Sequence, residues 1–543
     1  MSATRAKSST SGTSAARVAF VGAGPGDPGL MTVRARDYLA RADTVVIDQV
    51  NRHAMVARYT RAEAEIVDAG HGEHGEELTR ASRAKLLVRT VKALGGDGFL
   101  VRLMDGDPAM FNGFAEEAQA LHRAGISFDV VPGVTAVSAV PTYAGVPLTS
   151  RQATAVHVVS AGERRHDWTP AIAEHVTVVV LGTPDTLAGA LADLRDAGRP
   201  DETPVALTER GTTTQQVTHT TTLGDVDALF RSTTVRFPTL AVVSSTVALR
   251  EHLSWFETKP LFGWNVLIPR TKDQSASTID RLASYGATAD VVPTISVEPP
   301  RTPQQMDRAV KGLVTGRYEW VGFTSVNAVR AVREKFEEFG LDARAFAGLK
   351  IAAVGGVTAE VLRQWGLVPD LVPTDDQSVA GLLADWPDFD PVLDPINRVL
   401  LPRADIATDT LVAGLVAAGW EVDDVTAYRT VRAAPPAAEV REAIKTGSFD
   451  AVLFTSSSTV RNLVGIAGKP HPSTVVACIG PATAKTAEEH GLRVDVLAPS
   501  ASSDSLIDAL AAHGVALALA AAEAGEPVRR PSERRPASRR RAR

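Results

Sequence analysis

The apolar positions of this chain fall in short runs, separated by stretches in which apolar residues recur at helical spacing. "RVAFVGAG" (17–24) reads as a buried strand, "MTVRARDYLARA" (31–42) as an amphipathic helix and "TVVID" (44–48) as the next strand. "GFLVRLMDGDP" (98–108), "FDVVPGVTA" (128–136) and "VTVVVLGTP" (176–184) repeat the design of a strand running into a glycine- or proline-marked turn. This alternation predicts α/β architecture on mostly parallel sheets. Pro260 and Gly263 break the pattern in "LSWFETKPLFGWNVLIPRT" (253–271), and the main boundary is expected there, with residues 257–263 as a linker.

Beyond that boundary the pattern repeats. "WVGFTSVNAVRAV" (320–332) is matched by "AVLFTSSSTVRNL" (451–463), and "KIAAVGGVTAEVLRQWGLVPDLVP" (350–373) by "VVACIGPATAKTAEEHGLRVDVLAP" (475–499). A period of roughly 130 residues is too long for a solenoid unit, so two similar α/β lobes facing a cleft are expected.

Composition adds limits. The 543 residues, 44% hydrophobic and 22% charged, describe three or four globular domains. The polar start, 1–16, reads as a disordered head, and 514–543, Ala-rich then Arg-rich, as a disordered tail. No apolar run reaches the ~18–20 residues of a bilayer span, so no membrane partner is expected. The single cysteine excludes an internal disulfide and a multi-thiolate metal site; Cys478, inside "TVVACIG", reads as a small buried residue. No metal is expected, and a reducing cytoplasm fits. The net charge of −6 conceals eight Arg and one Glu in the last fifteen residues. Without aromatic interleaving or a nucleic-acid-binding motif that tail reads as a solvated end, and nucleic acid is not an expected partner.

"VGAGPGDPGL" (21–30) raises a dinucleotide fingerprint, and Asp48 ends the second strand where a ribose-binding acid would sit. Asp27 occupies the position of the third glycine, which weakens that reading. The ordered series "VGAGPGDPGLMTVRARDYLARADTVVID", "VRLMDGDPAMF", "VVPGVTAVSAVPTYAGVPLTSR" and "TPVALTERGT" resembles the tetrapyrrole methylase family, specifically uroporphyrinogen-III C-methyltransferase, over residues 17–256. The resemblance implies two α/β lobes, about 17–132 and 133–256, with S-adenosyl-L-methionine in the cleft between them. It places cofactor contacts at Pro25, Asp105, Gly106, Asp107, Met110, Thr135, Ala136, Leu181 and Gly211, and the proton acceptor at Asp48. Several positions depart from the family. Gly70 stands where a lysine is expected, Gln49 and Met104 replace an arginine and a lysine, and Asp105 replaces a glycine. Asn112–Gly113–Phe114 stand where an arginine is expected.

The repeated half, with "FTSVNAV", "IAAVGGVTAEVL", "VTAYRTV", "FTSSSTV" and "IGPATAKTAEEHGL", resembles uroporphyrinogen-III synthase over 264–513. That implies flavodoxin-like lobes, lobe one from 264–296 plus 430–513 and lobe two from 297–429, joined by crossings at 291–300 and 425–436. The implied reaction closes hydroxymethylbilane into uroporphyrinogen III with inversion of the last ring and needs no cofactor. Thr324, Ser325, Asn327, Gly355, Thr358, Ser456, Ser457, Gly480 and Thr483 occupy turns suited to substrate carboxylates, or serve as helix caps, or both. Tyr428 is either a catalytic phenol facing the cleft or a packed linker aromatic, and Arg403 either meets a propionate or is a solvated surface arginine. The leading expectation is a two-enzyme fusion, with a homodimer through the methylase-like half. The alternative is a synthase whose first half only binds cofactor or tetrapyrrole.

Overall fold

The computed structural model describes residues 16–48, 56, 58–71, 76–162, 166–232, 239–271 and 275–534. The expected disordered head falls almost wholly outside these residues, as do Gln49 and the end of the Arg-rich tail. The chain divides into two compact units, one of residues 1–264 with 282–288, the other of 265–281 with 289–543.

In the first unit, β1 (Arg17–Gly22), β2 (Thr44–Ile47), β3 (Glu65–Asp68), β4 (Phe99–Met104) and β5 (Phe128–Val131) form a parallel sheet in the order β3-β2-β4-β1-β5. Strand β1, flanked by β4 and β5, is buried on both faces. Val18 and Phe20 pack with Leu87 and Leu121 on one side, Ala19 and Val21 with Ala35 and Leu39 on the other. An unbroken apolar run is therefore the right code for β1. A second sheet, β6 (Ala155–Ser160), β7 (Val176–Gly182), β8 (Pro204–Glu209), β9 (Val217–Thr222) and β10 (Thr239–Val243), has the order β6-β7-β10-β8-β9. Here β10 pairs antiparallel with β7 and β8, and β8 antiparallel with β9, so this sheet is mixed rather than mostly parallel. The short connection after β8 is the physical reason: it can reverse the chain but cannot carry a crossover.

In the second unit, β11 (Asn265–Ile268), β12 (Thr288–Val291), β18 (Ala451–Phe454), β19 (Val475–Cys478) and β20 (Val496–Leu497) form a sheet in the order β12-β11-β18-β19-β20. Counted along the chain this is 2-1-3-4-5, the flavodoxin-like order. The intervening chain builds a sheet of β13 (Ile295–Glu298), β14 (Trp320–Phe323), β15 (Lys350–Ala353), β16 (Arg398–Ala404) and β17 (Glu421–Arg432), ordered β15-β14-β16-β17-β13. β13 pairs antiparallel with the end of β17, Ile295 opposite Arg432, so the outgoing and returning chain run side by side. The sequence repeat maps β14 and β15 onto β18 and β19.

Two expectations about connecting segments are corrected. Leu261, inside the expected linker, is fully buried and donates its N–H to the Tyr285 carbonyl at 3.0 Å. It is a packed apolar anchor, not a free spacer. The expected disordered tail begins inside a helix, Ser503–Glu523, whose Leu506, Ile507, Leu510, Ala511 and Gly514 are buried. Its alanines are strong helix formers, which an apolar-run criterion ignores. By length and composition alone this helix could span a membrane, contrary to the sequence expectation; 33% of its most apolar window is buried within the protein. Farther on, Pro531 is buried and Ser532 donates its N–H to Asp450 Oδ1 at 2.8 Å.

Candidate active sites

The glycines after β1 serve close backbone approach. A β-carbon on Gly22 would lie 2.6 Å from both Gly106 O and Gly133 Cα. Gly24 and Gly106 exchange backbone hydrogen bonds of 3.2 and 2.9 Å. Loops from the ends of β1, β4 and β5 thus meet backbone to backbone, and the Gly24 N–H is spent on a neighbouring loop. Asp27 is a structural knot: Oδ1 accepts from Gly29 N–H at 2.7 Å, Oδ2 from the Tyr143 hydroxyl at 2.8 Å, and its own N–H donates to Thr212 Oγ1 at 3.1 Å. Burial and the Asp27 carboxylate push the Tyr143 phenol well above its ordinary value. A pyrophosphate-binding turn has no place here.

Beside this knot, Pro25, Asp105, Gly106, Asp107, Met110, Thr135, Ala136, Leu181 and Gly211 all line one cleft of about 290 Å³. Phe111, Asn112, Val140, Ser160, Gly182, Thr208 and Leu240 also line it, and among the described residues the lining contains two carboxylates and no lysine or arginine. Two loops shape it under strain. Among the described residues, the non-glycine positions with positive φ are Phe111 (64°), Arg210 (47°) and Thr212 (66°), each on one of these loops. Asn112, which looked in sequence like a loss, is the clasp of the first loop: its Nδ2 donates to Asp105 O at 2.5 Å and to Asp107 O at 2.6 Å. Asp107 accepts from Ala109 N–H at 2.9 Å and Gly133 N–H at 3.0 Å. Gln216, buried, fixes the second loop by accepting from Thr212 N–H at 2.7 Å while donating to Glu257 at 2.8 Å.

Asp48 does not line the cleft. It follows β2 at the same sheet edge, and its Oδ1 accepts from Arg102 Nη2 at 2.6 Å and lies 3.4 Å from Arg83 Nη1. Arg102 is fully buried and grips Glu117 through Nε and Nη2 at 2.7 and 2.9 Å. Burial alone would lower the Arg102 pKa; Glu117 and Asp48 more than reverse this and hold it charged. Removing one partner of such a group leaves an uncompensated buried charge, at a cost of about 3–5 kcal/mol. Sequence reasoning missed Arg102 and Glu117; the available signal was a charge inside the apolar run "FLVRLM". Gly70 is packed against Asp48: a β-carbon there would lie 2.0 Å from the Asp48 carbonyl oxygen, so no lysine fits this backbone.

In the second unit, the candidate substrate residues sit at the carboxyl ends of β14, β15, β18 and β19, where α/β sheets bind ligands. Ser325 accepts from Ala328 N–H at 3.1 Å as a helix cap, and its Oγ also lies 2.9 Å from the Tyr428 hydroxyl. Thr324 precedes it, half-buried. Tyr428, 7% exposed on β17, and Asn327 line a cleft of about 530 Å³ with β13 and residues such as Met306, Arg330 and Glu334. Ser456 caps the helix Ser457–Ala467 through a reciprocal bond with Thr459, and Ser457 Oγ donates to Ala482 O at 3.0 Å, joining that turn to the one at Gly480. Gly355 and Gly480 cap their helices without a side chain. Thr358 and Thr483 are buried at 5% and 4% exposure, which leaves little side-chain surface for a ligand. The structure therefore joins Ser325, Asn327 and Tyr428, and separately Ser457 with the Gly480–Thr483 turn, but does not gather all nine around one cavity.

Two side readings change. Arg403 is neither a surface arginine nor a free carboxylate receptor. It is 4% exposed, its Nε donates to Asp424 Oδ1 at 2.8 Å, Nη2 pairs with Asp424 Oδ2, and Nη1 donates to Thr408 O at 2.6 Å. Cys478 is fully buried, and burial followed by Glu488 pushes its thiol up to about 12, so it is no nucleophile.

Comparison with known proteins agrees with this division. The family model "Tetrapyrrole (Corrin/Porphyrin) Methylases" matches residues 17–227, and "Uroporphyrinogen-III synthase HemD" matches 276–508. The porphyrin biosynthesis protein HemD of Ruminiclostridium josui is 31% identical over 503 residues, covering 91% of this chain and 97% of that protein. A sirohaem synthase of Azotobacter vinelandii is 39% identical over 246 residues, covering 44% of this chain and only 52% of its own length. The crystal structure of uroporphyrin-III C-methyltransferase from Thermus thermophilus complexed with S-adenosylhomocysteine is 30% identical, covering 43% of this chain and 99% of that one, with a TM-score of 0.35. Two families matched in series and one relative matched nearly end to end place the chain in the family of the porphyrin biosynthesis protein HemD, in which a tetrapyrrole methylase is fused to a uroporphyrinogen-III synthase.

Proposed function

We propose that the second unit closes hydroxymethylbilane to uroporphyrinogen III and that the first methylates ring carbons of that product. The observation that carries the methylation reading is the cleft lining, which among the described residues has two carboxylates, no cationic side chain and the two glycines Gly106 and Gly211 on its loops. Such a cleft suits a cationic sulfonium and repels a pyrophosphate. When bound, S-adenosyl-L-methionine supplies an electrophilic methyl group there. The strained loops at 105–112 and 210–213 would hold the cofactor, and their fixed backbone would orient it, so orientation supplies much of the rate. As the new carbon–carbon bond forms, the methylated ring carbon must lose its proton, and Asp48 is the acceptor at that sheet edge.

In the second unit, the terminal C–O bond of the bilane breaks as its hydroxyl takes a proton and leaves as water. The far pyrrole attacks the resulting cation, and a spiro intermediate reopens to give the inverted ring. The Tyr428 hydroxyl, polarised by Ser325 at 2.9 Å, donates to the departing oxygen. Helix N-termini at Ser325, Gly355, Ser456 and Gly480 offer N–H groups to the carboxylates. The chain acts in the cytoplasm as a homodimer through its first unit.

The test supplies purified protein with hydroxymethylbilane and methyl-labelled S-adenosyl-L-methionine. A labelled product derived from the type III isomer is expected. Type III uroporphyrinogen without label would overturn the methylation half and leave a binding module, and failure to form the type III isomer would overturn the synthase half.

A further inference from the structure

We propose that Arg102 is a positioning residue for methyl transfer: from inside the sheet it anchors one oxygen of Asp48 so that the other is presented to the ring proton. The inference rests on the reading of Asp48 as the proton acceptor.

Every residue of β4 is buried, and its other members are apolar, so an apolar side chain at 102 would fill the space at lower electrostatic cost. Instead a guanidinium sits there with no exposure, opposite Val46 in the β2 register. Its contacts point one way. Nε and Nη2 hold Glu117, in the first turn of the helix Phe114–Arg123, which follows the cleft loop directly. Nη2 also reaches Asp48 Oδ1 at 2.6 Å, and Nη1 is satisfied by the Val46 and Leu103 carbonyls at 3.4 and 3.1 Å. Only a planar fork can serve two carboxylates and two carbonyls at once; an ammonium cannot. Arg83 adds a second hold on the same Asp48 oxygen at 3.4 Å. Among the described residues Asp48 Oδ2 takes no hydrogen bond, and the side chain is 23% exposed. The result is a carboxylate fixed at one oxygen and open at the other, tied through Glu117 to the loop that forms the cofactor cleft.

The experiment uses the full chain, with Arg102→Lys, Asp48→Asn and the double variant. It measures methyl transfer to supplied uroporphyrinogen III, cofactor affinity by calorimetry, and synthase rate in the same preparation as a check on the second unit. Arg102→Lys is expected to lower kcat about 10- to 100-fold with cofactor affinity unchanged. Added to Asp48→Asn it lowers the rate no further, because the two act as one unit. If Arg102→Lys does not fold, the double variant Arg102→Met with Glu117→Gln, which removes both buried charges together and so strands neither, is read the same way. Unchanged kcat, lost cofactor affinity, or effects that multiply in the double variant would each overturn the positioning role. An unaltered chain that transfers no methyl group would instead overturn the methylation reading on which the role depends.

Discussion

A β-carbon on Gly70 would come within 2.0 Å of the Asp48 carbonyl oxygen, and the Gly70 N–H is bonded to Asp68 Oδ1 at 2.7 Å. Gly70→Lys is therefore not a restoration of a missing catalytic group. It should destabilise the first unit by about 1–3 kcal/mol through overpacking, and leave methyl transfer no higher. Thermal unfolding and the transfer assay check this; gained transfer at an unchanged Tm would show that the backbone moves aside. The neighbouring loop teaches a related lesson. Gly113, with φ of 76°, faces the Arg80 side chain, whose Cδ would lie 3.5 Å from an added β-carbon. Arg80 and Arg83 come from the helix Arg80–Leu94 and bring positive charge to an edge that the loop's own sequence leaves without it. Counting along one motif finds the residues of that motif, and cannot find a side chain that folds in from another helix. For the same reason the gathering of the nine candidates at one cleft was legible, since each belongs to a quoted loop or strand, whereas Arg102 and Glu117 were not.

Elements that carry a full period of pattern were the most legible. The strand–turn–helix repeat maps onto β14–β15 and β18–β19, because burial on both faces demands continuous apolar strands and the turns demand Ser, Thr or Gly as caps. The mixed second sheet was not legible, since antiparallel and parallel buried strands share one code and only connection length tells them apart. The C-terminal end was misjudged for a different reason: low complexity there conceals high helix propensity. This element supports a prediction. Asp450, 1% exposed, accepts from Asn265 N–H at 2.8 Å through Oδ2 and from Ser532 N–H at 2.8 Å through Oδ1. A chain ending at residue 528 leaves one buried carboxylate oxygen short of its donor, at a cost of about 1–3 kcal/mol. Thermal unfolding of chains ending at 528 and 534 should show the shorter one less stable; equal Tm values would mean that water replaces the Ser532 N–H without penalty.

At the scale of the whole chain, each cleft draws its lining from one unit, the first from Pro25 to Leu240 and the second from Thr271 to Tyr428. Among the described residues each lining comes from a single unit, so the two chemistries should be separable by single substitutions. Tyr428→Phe removes the hydroxyl bonded to Ser325 while keeping the ring, and should lower the synthase rate by about a hundredfold. The same variant should methylate supplied uroporphyrinogen III at the unaltered rate. Asp48→Asn should do the reverse, and starting from hydroxymethylbilane it should accumulate unmethylated uroporphyrinogen III. Parallel assays of each variant with each substrate decide the matter: if either substitution depresses both rates while the protein stays folded, the two sites are coupled through the chain, and the separation into two self-contained clefts is wrong.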